Sequence, residues 1–231
     1  MGSSLKIASV FGIELRINLS FLLLLGFFWF RFYQEGGLSG ALQGVLYILI
    51  LFACVTLHEF GHAFAARGFG IKTRDITLYA IGGVARLNRI PDKPWQELVV
   101  AVAGPLVNVV IAAALFFVTH VTAGFDEADL LESPRIDLLY KVAWANLFLV
   151  AFNLIPAFPM DGGRVLRALL AMVMPYARAT EVAARIGQGL AILFAIFGFI
   201  YYPILIFIAF SIFVGAQQEI AMARANRPSP P

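Results

Sequence analysis

Charge is scarce in this 231-residue chain: Asp, Glu, Lys and Arg together make up 13% of it, about half the share found in a soluble domain. With 61% hydrophobic residues and a mean hydropathy of +0.85, a single water-facing globule is excluded, and lipid must solvate much of the surface. Cysteine is nearly absent. Cys54 is the one thiol, so no internal disulfide exists, and the residue reads as a small buried packing group. The net charge of +3 is modest, and the basic residues gather in particular loops, which does not suggest nucleic acid as a partner. Internal repeats and low-complexity tracts are also lacking. No cleaved signal peptide is evident, because Lys6, Glu14 and Arg16 precede the first apolar run and no small-residue cleavage site clearly follows it. Lys6 stands where a myristoylation signal needs Ser or Thr.

What is present is a series of apolar runs. They predict an all-α polytopic membrane protein of about six transmembrane helices, near 17–32, 41–67, 97–121, 136–155, 182–200 and 204–216. Tyr201-Tyr202-Pro203 makes a tight turn between the last two. The segment 73–87 differs: Thr73 to Tyr79 alternates and is β-branched, Gly82-Gly83 offers a turn, and Val84 to Leu87 resumes extended character. It predicts a small membrane-associated β-hairpin or sheet between the second and third spans, with a plain interfacial loop as the alternative. Arg67, Lys72, Arg74, Arg86, Arg89 and Lys93 crowd this loop, and Arg164, Arg167, Arg178 and Arg185 crowd the one after the fourth span. Asp126, Glu127, Asp129 and Glu132 instead mark the loop after the third. The positive-inside rule then places both termini and both basic loops in the cytosol. Arg164 and Arg167 read as interface residues that snorkel towards water. Residues 1–221 form the membrane domain, and 222–231, ending in Asn226-Arg227-Pro228-Ser229-Pro230-Pro231, resemble the start of a linker.

The chemistry concentrates at His58-Glu59-Phe60-Gly61-His62. Leu46 to Leu57 before it and Ala63 to Ala66 after it carry no charge. Ionisable groups at bilayer depth are costly, by about 2.5–3.5 kcal/mol each on insertion scales, and usually mark a site. Two imidazoles four residues apart share a helix face about one 5.4 Å turn apart, within reach of one metal ion. The H-E-x-x-H pattern supplies two zinc ligands, His58 and His62, and a general base, Glu59. A satisfied polar cluster between helices is the alternative.

A catalytic zinc needs a third protein ligand. His120 is the one other histidine, but it falls at the far end of the third span and reads as an interfacial residue. Asp161 is the better candidate. Pro156 and Pro159 end the fourth helix before it and Gly162-Gly163 follow it, so the chain can bend back inward. On spacing alone, Asp161 as the N-cap of an amphipathic helix over 162–174 explains the residue equally well.

Four separated pieces carry a resemblance: His58 to His62, the Gly82-Gly83 segment, Ala103-Gly104-Pro105-Leu106-Val107-Asn108, and Asn153 through Asp161-Gly162-Gly163. Over roughly 45–170 the chain resembles the catalytic core of the site-2 protease family of intramembrane zinc metalloproteases. It is most similar to the prokaryotic branch in which a nucleotide-binding CBS domain follows the last span; no PDZ domain interrupts the sequence given, and no CBS domain is within it. The resemblance implies Zn2+ as cofactor, held by His58, His62 and Asp161, with Glu59 as base. It implies that Asn108, Gly82, Gly83 and Asn153 border the substrate path. Asn146, seven residues before Asn153 on the same helix face, reads as structural.

The expected function is therefore a zinc endopeptidase in the cell membrane of a prokaryote, opening to the cytosol and cutting transmembrane segments of other proteins. Its partners would be single-span membrane proteins within the lipid bilayer; transcription factors, anti-sigma factors or pro-sigma factors tethered there are what the family implies. Oligomerisation is left open by the sequence. The rivals are a metal-ion transporter and a catalytically inactive scaffold. A transporter strings ligands across the bilayer, whereas here they gather near one face.

Overall fold

The computed structural model describes residues 4–123 and 134–225. The acidic loop at Asp126 to Glu132 and the tail 226–231 lie outside the described residues. Among the described residues, five helices are long and apolar enough to cross a membrane, and four strands form one small sheet. The chain divides into two compact units, Met1–Ile90 with Ala103–Val150, and Pro91–Val102 with Ala151–Pro231.

The first unit begins with strands β1 (Ser4–Val10) and β2 (Ile13–Asn18). Ile13, Leu15 and Ile17 alternate with Glu14 and Arg16, the period-2 pattern of a half-buried strand. Phe11 and Gly12 join the strands with φ of 52° and 82°, the left-handed pair that a tight primed turn demands. The Phe11 ring meets Phe60 and Phe64 edge-on, which holds a non-glycine residue in that conformation. These strands correct the expectation of a lone hairpin at 73–87. The sheet has the order β1-β2-β3-β4, with β3 (Thr73–Tyr79) parallel to β2 and β4 (Gly82–Leu87) antiparallel to β3.

Helix α1 (Leu19–Gly68) connects β2 to β3, the crossover that a parallel pair requires. Asn18 caps it by accepting the Ser20 N–H at 3.0 Å. Its backbone leaves helical geometry at Gly36 and Gly37, where φ reaches +60°. A straight helix would set Phe21 and Phe52 about 46 Å apart, yet their ring centroids are 4.5 Å apart. The helix therefore doubles back as a hairpin of two arms, 19–35 and 38–68, corresponding to the first two expected spans. Gly44 takes the Phe32 ring where a Cβ would stand 2.0 Å from it.

The returning arm carries the sheet: Phe60 and Ala63 are buried with Ile13 and Ile76, and Ala85 packs on the same cluster. The turn between β3 and β4 falls at Ala80-Ile81, so Gly82 and Gly83 open β4 rather than form the turn. Helices α2 (Pro94–Ala123) and α3 (Pro134–Asn153) complete the unit with their residues from Ala103 onward and up to Val150. Gly61 lies so close to α2 that a Cβ would stand 2.7 Å from the Ala103 carbonyl oxygen.

In the second unit, α4 (Asp161–Ala171) is short and precedes a hairpin of α5 (Tyr176–Ile200) and α6 (Ile204–Ala225). Met160, not Asp161, occupies the N-cap position, and α6 runs four residues past the expected boundary at 221. Gly187 and Gly215 leave room for the backbone of Ala157 to Pro159. Gly162 and Gly163 are needed for space, since a Cβ on Gly162 would stand 2.2 Å from the Ile155 carbonyl oxygen. The loop before Asp161 is thus folded onto the start of its own helix.

Arg167 does not snorkel. Its side chain is 5% exposed and bonds Glu97 at 2.6 Å through Nη2, and Glu219 through Nη1. The guanidinium also lies 4.9 Å over the Phe158 ring. The guanidinium fork suits two carboxylates at once, a pairing the sequence could not reveal because the partners lie 70 and 52 residues away. Arg167→Met is expected to destabilise the protein by about 3–5 kcal/mol, since the buried Glu97 and the half-buried Glu219 lose their counter-charge. Thermal unfolding in detergent measures this, and an unchanged melting temperature would show that water already satisfies them.

Candidate metal centre

The returning arm of α1 presents His58 and His62 on one face, both buried. Their Nε2 atoms are 3.1 Å apart and their rings meet edge to face at 4.8 Å. Two imidazoles bound tetrahedrally to zinc at about 2.0–2.1 Å would hold their nitrogens about 3.3 Å apart, so the pair is already at ligand spacing. Gly104 of α2 faces the same point. A Cβ there would stand 2.3 Å from His62 Nε2 and 2.7 Å from His58 Nε2. The missing side chain leaves open the space into which both lone pairs would be directed.

Asp161 is the third member. One ligand atom from each of His58, His62 and Asp161 lies within 4.8 Å of the others, and all three residues are buried. No other group of this kind occurs among the described residues. A His-His-carboxylate set is a zinc donor set, and the residues present fit that ion. His120 is exposed, with Nδ1 3.2 Å from the Phe116 carbonyl oxygen, and Cys54 is a buried free thiol; neither belongs to the cluster.

Glu59 is half-buried and turned towards the sheet. Its Oε2 accepts the Ala85 N–H at 2.9 Å, and a Cβ on Gly83 would stand 2.8 Å from its Cγ. The structure thus brings Gly83 against the Glu59 side chain, while Gly82, at φ +135°, opens the strand. Because the Ala85 N–H goes to Glu59, it points away from β3 and along the outer edge of β4.

Asn108 is fully buried on α2. Its Oδ1 lies 2.5 Å from His58 Nδ1, so it meets the His58 ring on the side away from Nε2. Its Nδ2 donates to Asn146 Oδ1 at 2.6 Å, joining to the site a residue that the sequence reads as structural. Asn153 closes α3 half-buried. Sequence reasoning missed that Asn146 and Gly104 lie beside this cluster. The available signal for Asn146 was a pair of asparagines inside apolar spans, which tend to seek each other; the approach of Gly104 to the histidines has no local signal.

Comparison with known proteins agrees with this geometry. Residues 46–135 and 123–195 match the model of peptidase family M50. A zinc metalloprotease of Methanocaldococcus jannaschii is 38% identical over 220 residues, 95% of this chain and 61% of the relative. A solved structure described as a site-2 protease from Methanocaldococcus jannaschii superposes with a TM-score of 0.69 at 36% identity, over 94% of this chain and 95% of that one. The present chain therefore spans about three-fifths of the length of the curated relative.

Proposed function

The chain belongs to peptidase family M50, the site-2 protease family, and from that premise we propose that it cuts transmembrane segments of other proteins with a zinc ion held by His58, His62 and Asp161. The observation that carries the reading is the spacing of two imidazole nitrogens at 3.1 Å beside a carboxylate, Glu59, within a helix otherwise flanked by apolar residues. Zinc, when bound, supplies a Lewis acid for the scissile carbonyl and lowers the pKa of water. Glu59 takes a proton from the attacking water and returns it to the leaving amine. Its hydrogen bond to the Ala85 N–H holds the carboxylate beside β4. The buried setting of the imidazoles limits competing water.

The membrane arrangement follows the same reading. Strands β2 and β3 pair directly, so α1 starts and ends at the same sheet, and its two arms support two crossings. With α2, α3, α5 and α6 this makes six, which sets both termini on one side. The basic residues of 67–93 support a cytosolic sheet. His62 then lies about 9 Å up the helix from Gly68. That depth suits cleavage in the cytosolic half of a substrate's span. Single-span membrane proteins, including tethered transcription factors, anti-sigma and pro-sigma factors, are the substrate class proposed.

A transmembrane helix hides its peptide bonds in its own hydrogen bonds, so it must be extended to be cut. β4 is an edge strand, and an extended substrate laid along it would pass Glu59 by β-augmentation. Ala85→Pro removes the donor to Glu59 while proline remains tolerable on an edge. It is expected to lower kcat/KM about tenfold, the scale of one lost hydrogen bond, with zinc content unchanged. Full activity in a folded Ala85→Pro protein would show that this hydrogen bond does not position Glu59. For the function itself, purified protein mixed with a panel of tagged single-span proteins should cleave at least one, a chelator should stop it, and zinc should restore it. Zinc flux into vesicles without cleavage would favour the transporter instead.

A further inference from the structure

His58 is useful as a metal ligand through Nε2 only if that nitrogen carries no proton. A free neutral imidazole chooses between two tautomers. In this protein the choice is connected to atoms well away from the metal face.

The connection starts at a main-chain carbonyl. The Val142 oxygen can only accept, and Asn146 Nδ2 lies 2.8 Å from it. The NH2 end of Asn146 must therefore face Val142, which turns Asn146 Oδ1 towards α2. That oxygen stands 2.6 Å from the Asn108 amide, so Asn108 must present its own NH2 there. Asn108 Oδ1 is left facing His58 Nδ1 at 2.5 Å. An oxygen can only accept, so Nδ1 carries the proton and Nε2 keeps its lone pair.

We propose that Asn146 and Asn108 form a directed relay that locks His58 in the Nδ1–H tautomer and so prepares Nε2 for the metal. Both asparagines have zero exposed area and His58 is 5% exposed, so bulk water cannot readily stand in for a reversed bond. Reversal of one amide would set oxygen against oxygen along the line. Asn146 is a positioning residue: it touches neither metal nor substrate and acts through Asn108. The proposal rests on the reading of His58 as a zinc ligand.

The test is a double-mutant comparison of zinc affinity, measured on the purified full chain in detergent by competition with a chromogenic chelator. Asn146→Leu removes the anchor, leaves Asn108 free to turn over, and should weaken zinc binding about 10- to 100-fold, the usual effect of losing a partner behind a metal-bound histidine. Asn108→Asp offers His58 an oxygen whichever way it turns. In that background Asn146→Leu should cost no further affinity, and should raise it slightly because Asn146 Oδ1 no longer faces a carboxylate. If Asn146→Leu does not accumulate, Asn146→Ser makes the same comparison.

Nitrogen-15 NMR of labelled histidine reads the tautomer directly: Nδ1–H in the parent metal-free protein, a mixture in Asn146→Leu. An equal loss of affinity in both backgrounds would mean that Asn146 only packs, and would overturn the relay. So would an unchanged affinity in Asn146→Leu. Because no substrate is present, the result is separate from the protease assignment. Coupled losses in a protein that cleaves nothing would sink the protease and leave the relay standing.

Discussion

Glu59→Gln is expected to retain near-stoichiometric zinc and to lose cleavage by two or more orders of magnitude, the usual scale for removing a general base. Glutamine keeps the shape and an oxygen that can still accept the Ala85 N–H, now at 2.9 Å from Oε2. It cannot take a proton from water. Since Glu59 is not one of the three residues whose ligand atoms cluster, the metal has no reason to leave. Asp161→Asn should behave differently. It replaces an anionic oxygen donor with a neutral one, so zinc content and cleavage should fall together. Metal analysis and cleavage rates on the same preparations separate the two. A transporter would have no cause to show that division, and an inactive scaffold would have no cleavage to lose.

Gly104→Ala should have the second large effect. The added methyl would lie 2.3 Å from His62 Nε2 and 2.7 Å from His58 Nε2, far inside van der Waals contact. The rings cannot readily yield, because His58 is bonded to Asn108 behind it and both imidazoles are buried. Either they swing away from their common point or α2 moves off α1, which the close passage of Gly61 by Ala103 opposes. Displacing the ligands themselves should weaken zinc binding by at least about 100-fold, the upper end for losing a supporting partner. Isothermal titration or chelator competition would show it. A Gly104→Ala protein with parental zinc affinity would mean that the metal does not sit where the two Nε2 atoms converge.

Much of this was readable from the chain because the signals were local. His58 and His62 are one turn apart, and the apolar runs announce their helices without help from distant residues. Asp161 needed more, since its neighbours Pro156, Pro159, Gly162 and Gly163 admit either a ligand or a cap. The structure explains those glycines by close packing of the loop onto the helix, not by an unusual backbone. What the sequence concealed depended on partners far along the chain. Strands β1 and β2 carry Lys6, Glu14 and Arg16, so their alternation reads as a charged flank until β3 is placed beside them. Arg167 looks like a surface cation until Glu97 and Glu219 are brought to it. Asn146 lies 38 residues from Asn108, which lies 50 from His58, and no periodicity links them.

The central claim is proteolysis within the membrane, and the position of the cut tests it most directly. A tagged single-span substrate should be reconstituted with the zinc-loaded protein in lipid vesicles and both fragments weighed by mass spectrometry. The account predicts new termini inside the apolar span, in its cytosolic half, absent from the Glu59→Gln reaction. Cuts confined to the water-exposed flanks, or the same fragments from Glu59→Gln, would contradict it.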